Sequence, residues 1–503
     1  MKNQVDKLNK ILTRLFQTIP PVLEDAARRA SAGRISGSEM HVLAEIGVGR
    51  AKTMTQVAAG LRISVGALTT AIDKLVKKGC VHRFRVPEDR RIVKLSLTEE
   101  GAALARAHAA FGEAMTETAF ASLTEEQRSL LLLSLENVEE YFRMQAVRPI
   151  RAEREPPLRP IRIGDLEIPA PIVQGDMGAA FSSPRLAAAI ALCGGVGLIT
   201  SAQPGCTEPD YARDPRAANL RAFGRDVSDA CARLRAGGGA GAIAVNVLYA
   251  APDCARAVRA AIEAGVDIIV AGMGIPISLP AMAGDSGVKL VPMISSARAV
   301  RLLRKSWAKK YNRAPDAVIF EGPSKCGILG FKEERLDSAA AGFYRNVVEI
   351  KHELADLPNC PLIVANGAMN RAEVKRAVAY GADGIQLDEP FALTPDCAVP
   401  PSVRAVYAEA KRREALILGS PLGMPVRMLR NALTDRVARG NADPAHCIGC
   451  IDLCPKKDIP FCLAEALGAT ARGDAENGIL FCAENGGRAA PYATVADIFK
   501  AFC

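Results

Sequence analysis

Residues 68–101 read LTTAIDKLVKKGCVHRFRVPEDRRIVKLSLTEEG, and they carry the clearest secondary-structure signals in the N-terminal part of the chain. Its first half continues an apolar pattern at helical spacing that a glycine ends: Val65, Leu68, Ile72, Leu75 and then Gly79. In its second half, alternating runs at 81–86 and 92–97 flank the turn Pro87-Glu88-Asp89-Arg90-Arg91. The stretch therefore predicts a helix followed by a two-stranded β-hairpin.

The residues upstream predict that this helix is the second half of a helix-turn-helix. Helical patterns cover 36–46 and 55–61, with Thr55 as the predicted N-cap, and Ser64 caps the helix that starts at residue 65. The outward side of that helix is small and polar near its start and basic near its end, which suits the base edges and phosphates of double-stranded DNA. The candidate DNA-binding residues are Ser64, Thr69, Thr70, Lys74, Arg83, Arg90 and Arg91.

The local charge supports the same interface. Between residues 74 and 94, eight basic side chains stand against two acidic ones: Lys74, Lys77, Lys78, Arg83, Arg85, Arg90, Arg91 and Lys94 against Glu88 and Asp89. Such an excess is the electrostatic pattern of phosphate binding, and an arginine at a hairpin tip can enter a narrow minor groove. Charge alone leaves open an ordinary basic surface.

The order of helix, helix, basic hairpin and Leu97-Thr98-Glu99-Glu100-Gly101 resembles the MarR family of winged-helix transcription regulators over residues 1–145. The resemblance implies a homodimer on a pseudopalindromic DNA site, with the N-terminal segment and residues 101–142 as the dimer helices. The run Leu130-Leu131-Leu132-Leu133 fits such an interface, although it equally fits a core within the domain.

The amino-acid composition, and its change along the chain, predict the domain organisation. The 503 residues are 49% hydrophobic and 24% charged, which excludes a disordered or fibrous chain, and aromatic residues at 5% argue against stacking platforms for single strands. The segment MQAVRPIRAEREPPLRP (144–160) has the composition of a linker. We expect a DNA-binding and dimerisation domain at 1–146, a Pro/Arg linker at 147–160 and a second domain at 161–503.

Cysteine usage and the N-terminus predict a cytoplasmic protein. The 14 cysteines in a long chain indicate reduced thiols rather than a disulfide scaffold. The N-terminus lacks a signal core. The uncharged stretch 186–207 is broken by glycines and reads as helix, turn and strand, so we expect no membrane contact.

Eight short apolar runs follow the linker, separated by helical material: 171–176, 196–200, 242–248, 268–272, 289–294, 317–321, 362–366 and 384–388. Buried strands that alternate with helices predict an α/β (β/α)8 TIM barrel after the mainly-α winged helix, with a Cys-containing C-terminal extension. A doubly wound sheet is the alternative, but no G-x-G-x-x-G follows the first run. Several runs end in polar residues, which places the candidate site at the C-terminal rim.

Motifs along this part resemble the nitronate monooxygenase (2-nitropropane dioxygenase) family of FMN barrels from about residue 161 to 500. They include Gln174-Gly175-Asp176-Met177-Gly178, Val245-Asn246-Val247, Glu321-Gly322-Pro323 and Ser420-Pro421-Leu422-Gly423-Met424-Pro425. The resemblance implies an FMN-dependent oxidoreductase that oxidises nitronates or a related small substrate. It also implies flavin contacts at Gln174, Met177, Gly178, Asn246, Gly327, Asn366, Gly367 and Gln386.

One departure from this family affects catalysis. The family's histidine, taken as the base that removes the proton next to a nitro group, is Ile328 here. An aliphatic side chain cannot accept a proton, so oxidation of a nitronate can survive while turnover of a neutral nitroalkane should not. Lys325 is the candidate replacement cation, against the alternative of a solvated lysine.

A second departure affects the cofactor. The family's strand-eight motif Gln-x-Gly-Thr-x-Phe, which holds the FMN phosphate, reads Gln386-Leu387-Asp388-Glu389-Pro390-Phe391. Each carboxylate at ~4 Å from a phosphate would cost about 4 kcal/mol at an effective dielectric constant of about 20, and Pro390 donates no N–H. Either the carboxylates point away, or FMN binding is weakened, or the ligand has no phosphate there.

The cysteines Cys447, Cys450, Cys454 and Cys462 form the densest cluster. Four thiolates can ligate zinc or an iron–sulfur cluster, but the spacing fits neither a paired C-x2-C zinc site nor the ferredoxin run. We therefore predict a structural role and no metal.

Two hypotheses remain for the whole chain. In the first, a DNA-binding regulator is fused to an active flavin enzyme. In the second, the barrel has lost turnover, and the binding of a small-molecule effector biases the DNA-binding dimer, which requires different affinities for two dimer states. Ile328 and Asp388-Glu389 favour the second hypothesis, whereas the other barrel motifs favour the first.

Overall fold

The winged helix predicted from residues 68–101 is present in the N-terminal part of the chain. The computed structural model describes residues 2–502 apart from 50, 62, 64, 87–88, 126, 129–130, 133, 136–148, 152–155, 358, 368–369, 410–414, 441–446, 453 and 485–491. The chain divides into two units, Met1–Ser134 and Leu135–Cys503. Each unit is described by itself.

The first unit contains five described helices and a small antiparallel sheet. Its elements are α1 (Lys2–Ala30), α2 (Gly37–Ile46), β1 (Lys52–Thr53), α3 (Met54–Leu61), α4 (Val65–Lys77), β2 (Val81–Val86), β3 (Asp89–Leu97) and α5 (Glu99–Phe120). The strands lie in the order β1-β3-β2. Strands β2 and β3 are antiparallel, and their pairing runs from Val81 opposite Leu97 to Val86 opposite Asp89. The predicted helix-turn-helix and hairpin are therefore confirmed.

Helix α4 buries the face that its apolar spacing predicted. Leu68, Ile72 and Leu75 are fully buried in the core of this unit, while Thr70 and Lys74 on the other side are exposed. Truncation of a buried leucine of this kind costs about 2–5 kcal/mol. The helical period thus separates a core-facing side of α4 from a side that is free to meet a ligand.

The N-cap predicted at Thr55 is wrong by two residues. Helix α3 begins at Met54, and the Thr53 hydroxyl accepts the Gln56 backbone N–H over 3.2 Å. The Gln56 side chain in turn accepts the Thr53 N–H over 2.8 Å. Thr53 lies in the short strand β1, so its capping role depends on a strand that has no signal in the sequence.

The Leu-Thr-x-x-Gly motif has a local physical cause. The Thr98 hydroxyl accepts the Gly101 N–H over 3.0 Å and donates to the Gly79 carbonyl over 2.7 Å, so one side chain caps α5 and holds the end of α4. A Cβ on residue 101 would lie 2.0 Å from the Cys80 carbonyl oxygen. Only glycine fits there.

The second unit begins with strands β4 (Ile161–Ile163), β5 (Leu166–Ile168), β6 (Ile172–Gln174), β7 (Val196–Thr200), β8 (Ala242–Leu248), β9 (Ile268–Gly272), β10 (Lys289–Ile294) and β11 (Val318–Glu321). It continues with β12 (Gly327–Ile328), β13 (Leu362–Ala365), β14 (Gly384–Leu387), β15 (Ala415–Gly419) and β16 (Pro425–Leu429). Eight of these strands, β6–β11 with β13 and β14, form a closed parallel barrel. All eight predicted runs became barrel strands, and the TIM barrel is confirmed.

Helices follow most barrel strands. They are α6 (Pro184–Leu192), α7 (Pro215–Gly237), α8 (Cys254–Glu263), α9 (Leu279–Ala283), α10 (Ala297–Tyr311), α11 (Leu336–Ala341), α12 (Phe343–Glu353), α13 (Arg371–Ala379), α14 (Glu389–Ala392) and α15 (Pro401–Glu409). Beyond them come α16 (Ala432–Val437), α17 (Leu463–Ala471) and α18 (Val495–Phe502). No helix in the described parts of the chain is long and apolar enough to span a membrane.

The two ends of the barrel differ. The β4-β5 hairpin closes the end where the strands begin: Ile163 and Ile168 belong to the same buried cluster as interior side chains, and Asp165 pairs with Lys289 over 2.6 Å at the start of β10. At the other end, β12 joins β16 and β15 in a small antiparallel sheet. The open end is therefore the C-terminal rim, where barrel sites lie.

Part of the predicted linker lies against the barrel. The Arg151 backbone N–H donates to the Ala379 carbonyl over 3.0 Å, and its guanidinium donates to Asp383 over 2.8 Å. Residues 147–148 and 152–155 of that segment lie outside the described residues. The boundaries 1–146, 147–160 and 161–503 remain a prediction.

Candidate functional site

A cavity of about 440 Å³ opens at the C-terminal rim of the barrel. One part of its wall is apolar and includes Ile275, Met293, Leu422, Met424, Leu463 and Leu467. The other part is polar and includes Asp176, Asn246, Glu321, Lys325, Gln386 and Asp388. This combination of apolar walls and a few convergent polar groups is typical of a small-molecule site.

The polar floor of the cavity is organised by Asp176. Its Oδ2 accepts the Thr200 hydroxyl over 2.7 Å and the Asn246 Nδ2–H over 2.6 Å, and its Oδ1 accepts the Gly178 N–H over 2.8 Å. Because a carboxylate only accepts, it turns the Asn246 amide so that Nδ2 points to Asp176 and Oδ1 points elsewhere.

Two amide oxygens at this floor are buried without a protein partner. They are Oδ1 of Asn246 and Oε1 of Gln386, and both residues line the cavity. Buried polar atoms are usually hydrogen-bonded. Two residues of the cavity wall therefore each hold a buried acceptor without a protein partner.

The predicted flavin-contact residues separate into two groups. Gly178, Asn246, Gly327 and Gln386 line the cavity, whereas Gln174, Met177, Asn366 and Gly367 do not. Gln174 is buried, and its Oε1 accepts the Leu198 N–H over 2.9 Å, so it ties β6 to β7. Met177 is packed in the large core cluster. Flavin binding by any of these eight residues remains a prediction.

Lys325 forms a buried ion pair instead of facing solvent. Its ammonium group contacts the Glu321 carboxylate at the end of β11, and the two side chains are only 15% and 13% exposed. Burial by itself would lower the pKa of Lys325, but the Glu321 and Asp388 carboxylates outweigh it and raise that pKa. The alternative of a solvated lysine is therefore wrong, and Lys325 places a positive charge at the wall of the cavity.

Asp388, which stands in the position of the family's phosphate loop, is also a titratable group of the cavity wall. It is 8% exposed, and it lines the cavity with Lys325 and Asp176. Burial raises its pKa to about 7, with Asp176 adding to the rise and Lys325 opposing it. A carboxyl group with a pKa near neutrality can both take up and release a proton under ordinary conditions.

Glu389 points away from the cavity into a second buried environment. Its Oε1 accepts the Ala483 backbone N–H over 2.8 Å, and its Oε2 is buried without a partner. Burial raises the pKa of Glu389 to about 7, the Ala483 N–H lowers it, Asp388 raises it further and Arg427 lowers it. The sequence singled out Glu389 as a carboxyl group, but it gave no sign that the Ala483 N–H would donate to it.

Ile328 lies where the resemblance puts the catalytic histidine. It follows Gly327, whose φ of +86° favours glycine. Gly327 and Ile328 together form strand β12, which pairs with β16. Ile328 lines the cavity, so its side chain adds to the apolar wall and supplies no proton acceptor.

Gly367, which follows β13, is packed closely by other parts of the chain. A Cβ on Gly367 would lie 2.4 Å from the Ser324 carbonyl oxygen and 2.8 Å from the Ala483 Cβ, and the Asn366 Oδ1 accepts the Ser324 N–H over 3.2 Å. Barrels usually bind a phosphate at the loops after strands seven and eight, which are β13 and β14 here. Residues 368 and 369 of the loop after β13 lie outside the described residues. In the loop after β14 the buried carboxyl groups of Asp388 and Glu389 do not suit the FMN phosphate, because like charges repel.

The four clustered cysteines border one small cavity beside the rim. Cys447, Cys450, Cys454 and Cys462 line it together, and burial raises the pKa of Cys450 to about 11. Among the described residues, no group of three His, Cys, Asp or Glu side chains is placed to hold a metal ion. In this arrangement burial favours the protonated form of the Cys450 thiol.

The candidate DNA surface is described only in part. Thr70 and Lys74 are exposed on α4, Thr69 is half-buried, and Arg83 on β2 pairs with Asp73 over 3.0 Å. Arg90 and Arg91 lie on β3 near the hairpin tip, and their side chains are outside the described part. Ser64 is also outside the described residues.

Two protein families match the chain. The nitronate monooxygenase family matches residues 159–503, and the MarR family matches residues 35–93. The multiple antibiotic resistance protein MarR of Escherichia coli (strain K12) is 31% identical over 105 residues, which are 21% of this chain and 73% of that protein.

The barrel has more distant relatives. A Mycobacterium tuberculosis protein named (3aS,4S,5R,7aS)-5-hydroxy-7a-methyl-1-oxo-octahydro-1H-indene-4-carboxyl-CoA dehydrogenase is 25% identical over 278 residues, 54% of this chain. The chain spans less than two thirds of that relative and of its Rhodococcus jostii counterpart, 66% and 64% of their lengths. A FabK structure from Thermotoga maritima matches at a TM-score of 0.49 and 23% identity, over 66% of this chain and 91% of that one.

Proposed function

The chain belongs to the nitronate monooxygenase family and carries a MarR-family region ahead of the barrel, and we propose that it is a DNA-binding transcription regulator. We further propose that its barrel is of the oxidoreductase type and takes a small acidic substrate. The observation that carries the barrel part is Asp388, a buried carboxyl group in the wall of the cavity beside Lys325. In this proposal Asp388 performs the proton transfer that Ile328 cannot perform.

The DNA end of the proposal rests on the exposed side of α4 and on the basic hairpin. Thr70 is small enough to approach base edges, and Lys74 one turn later reaches a phosphate. Arg90 and Arg91 at the hairpin contact the sugar-phosphate backbone or the minor groove.

A homodimer is part of the proposal, because paired recognition helices read a pseudopalindromic site. Helix α1 carries a stripe of exposed apolar side chains at i, i+4, i+8 and i+11: Ile11, Leu15, Ile19 and Val22. Of the run Leu130–Leu133, residues 130 and 133 lie outside the described part, and Leu132 is half exposed. We assign the α1 stripe to the dimer interface.

In the barrel, Asp388 accepts the proton of the substrate and Lys325 stabilises the anion that forms. A substrate with an acidic C–H bond, next to a nitro group, loses its proton to a carboxylate oxygen of Asp388, and the electron pair of the broken bond moves onto the nitro oxygens. The positive charge of Lys325 stabilises that anion. Glu321 keeps the lysine charged and in place.

A thioester also acidifies the adjacent C–H bond, and the dehydrogenase relative is named for a carboxyl-CoA substrate. The substrate class is therefore a small molecule with a C–H bond next to an electron-withdrawing group. A nitronate is the anion that remains when a nitroalkane of this class has lost its proton. We derive no step through FMN, because the buried carboxyl groups of Asp388 and Glu389 do not suit its phosphate.

Hydrogen–deuterium exchange tests the proton transfer without any cofactor. The purified full chain is mixed with nitroethane in D2O, and loss of the α-proton signal is followed by proton NMR. General acid–base catalysis contributes about 10²–10⁴-fold, so wild type should exceed the buffer rate and Asp388→Asn should lose at least about 100-fold of that gain. Asp285→Asn, an exposed carboxyl group on the barrel, is the control.

An exchange rate that is the same in Asp388→Asn and wild type, or equal to that of buffer alone, would overturn the barrel proposal. The sensing function would then be the one left to test. Sensing would appear as a change in DNA affinity when nitroethane is added, and this change would be the same in wild type and in Asp388→Asn.

The DNA part has its own experiment. A fragment selected from random DNA by the wild-type chain is titrated at several salt concentrations. Replacement of both Arg90 and Arg91 by Ala should weaken binding and reduce the slope of log K against log [salt] by about 2. Unchanged affinity and slope would exclude the hairpin from the interface, with Lys309→Ala on the barrel as the control.

A further inference from the structure

Four cysteine side chains meet at one small cavity beside the large one. Cys447, Cys450, Cys454 and Cys462 all line it, and its volume is about 20 Å³. That is room for about one water molecule, so no organic ligand fits between the thiols. The chemistry available at this cavity is therefore that of the sulfur atoms themselves.

The four thiols differ in their access to solvent. Cys447 is exposed, whereas Cys450, Cys454 and Cys462 are partly buried. Burial, with the neighbouring thiols adding to it, raises the pKa of Cys450 to about 11, so this thiol stays protonated and is a poor nucleophile. An oxidant that arrives from solvent therefore meets Cys447 first.

Cys462 is the partly buried thiol that is best placed to react with Cys447. It is the residue before helix α17. Burial raises the pKa of Cys462, but the backbone N–H groups of Glu465 and Ala464 counteract part of that rise, as the start of a helix does for a thiolate. A negative charge on Cys447 raises the same pKa, because the two sulfur atoms lie close enough to interact.

The segment 447–452 is attached to the barrel, which keeps its thiols beside Cys462. The Asp452 N–H donates to the Ala250 carbonyl over 3.0 Å, and the Arg216 guanidinium donates to the Gly449 carbonyl over 3.4 Å. Ala250 itself lines the large cavity. The cysteine cluster is thus part of the barrel rim.

One side chain belongs to both cavities. Leu463, the first residue of α17, lines the small cavity with the four cysteines and the large cavity with Asp388. Leu467, one turn further along α17, also lines the large cavity. A new bond at Cys462 that changes the start of α17 would therefore shift the wall of the large cavity.

We propose that Cys447 and Cys462 form an oxidation site that hydrogen peroxide converts to a disulfide, and that this bond alters the large cavity through α17. The Cys447 sulfur attacks one oxygen of the peroxide, the O–O bond breaks and one water leaves, so that Cys447 becomes a sulfenic acid. The Cys462 sulfur then attacks the Cys447 sulfur, the S–O bond breaks and a second water leaves. Two thiols have lost two electrons and two protons, and the peroxide has become two molecules of water.

Thiol counting and peptide mapping test the bond. The full chain is reduced, freed of reductant and treated with hydrogen peroxide, and its remaining thiols are alkylated before a non-reducing tryptic digest and mass spectrometry. Wild type should lose two of its 14 thiols and yield one linked peptide pair, Cys447 with Cys462. Cys462→Ser should instead keep a sulfenic acid at Cys447, which dimedone labels. Cys454→Ser, a partly buried control in the same cavity, should form the disulfide as wild type does.

Amide hydrogen exchange tests the effect on α17. Oxidation should change the protection of residues 464–471 in wild type and leave it unchanged in Cys462→Ser, and circular dichroism establishes that each variant keeps its fold.

Three outcomes would overturn the proposal. In the first, wild type keeps all its thiols in peroxide that oxidises free glutathione; in the second, the bond joins other cysteines; in the third, the exchange of α17 is the same before and after oxidation. These measurements contain neither nitroethane nor DNA, so a failure here is distinguishable from a failure of the proposed function.

Discussion

Asp388 and Gly175 share one space: Oδ1 of Asp388 lies 1.4 Å from the point where a Cβ on residue 175 would stand. The residue that follows strand β6 must therefore be a glycine, so that the carboxyl group of the residue that follows β14 can lie across it. The backbone is joined at the same place, because the Gly175 N–H donates to the Leu387 carbonyl over 2.8 Å.

This relationship predicts a coupled pair of substitutions. Gly175→Ala should destabilise the barrel by about 1–3 kcal/mol through overpacking, measured by thermal unfolding followed by circular dichroism. Adding Asp388→Gly should recover most of that loss, because the clashing atoms are gone, and the double-mutant cycle should show the interaction. Equal destabilisation with and without Asp388 would contradict the shared space.

The buried carboxyl groups predict how stability depends on pH. The pKa of Asp388 rises from 3.8 to about 7 in the folded chain, and that of Glu389 rises from 4.5 to about 7. Between these limits the folded state holds protons that the unfolded state has released. The free energy of unfolding should therefore fall as the pH rises from about 4 to about 7, by at most about 1.4 kcal/mol per pH unit for each group.

Urea unfolding at pH 5, 6, 7 and 8 measures this dependence. Asp388→Asn cannot ionise, so its stability relative to wild type should increase with pH across that interval. The exposed Asp285→Asn should run parallel to wild type. A difference between Asp388→Asn and wild type that does not change with pH would mean that Asp388 is already ionised at pH 5.

The exposed side of α4 predicts two kinds of DNA defect. Lys74→Ala should weaken binding to all sequences alike and reduce the salt slope by about 1, because a phosphate contact carries no sequence information. Thr70→Ala should cost less affinity overall but relax the preference at one base pair. Competition titrations with single-base variants of a selected DNA separate the two effects, and the same pattern for both variants would contradict the assignment.

The apolar stripe on α1 predicts the oligomeric state. Leu15→Asp places a charge in the middle of the proposed interface, where it would be desolvated without a partner, so the dimer should dissociate. Light scattering after size-exclusion chromatography measures the mass. Gln17→Asp, an exposed residue off the stripe, should leave the mass unchanged; a Leu15→Asp chain of unchanged mass would place the interface elsewhere.

Several elements could be predicted from the chain alone because their signals are local. The face of α4 follows from the spacing of Leu68, Ile72 and Leu75, and the eight barrel strands follow from short apolar runs separated by helices. The junction at Gly101 was marked by its motif, although its cause, the carbonyl of Cys80, needed coordinates. Thr55 failed as a cap because the adjacent strand β1 moved the start of the helix to Met54.

The two families, the order of the elements and the lack of a proton acceptor at Ile328 can all be read from the order of the amino acids. The roles of the remaining polar residues became visible only in the folded chain. Glu389 meets the N–H of Ala483, 94 residues later, and Asp388 comes to lie against Gly175 only when the last barrel strand closes on the first. Helical and strand periods depend on neighbours in the chain, whereas burial and its effect on the pKa of a carboxyl group depend on atoms that barrel closure brings together.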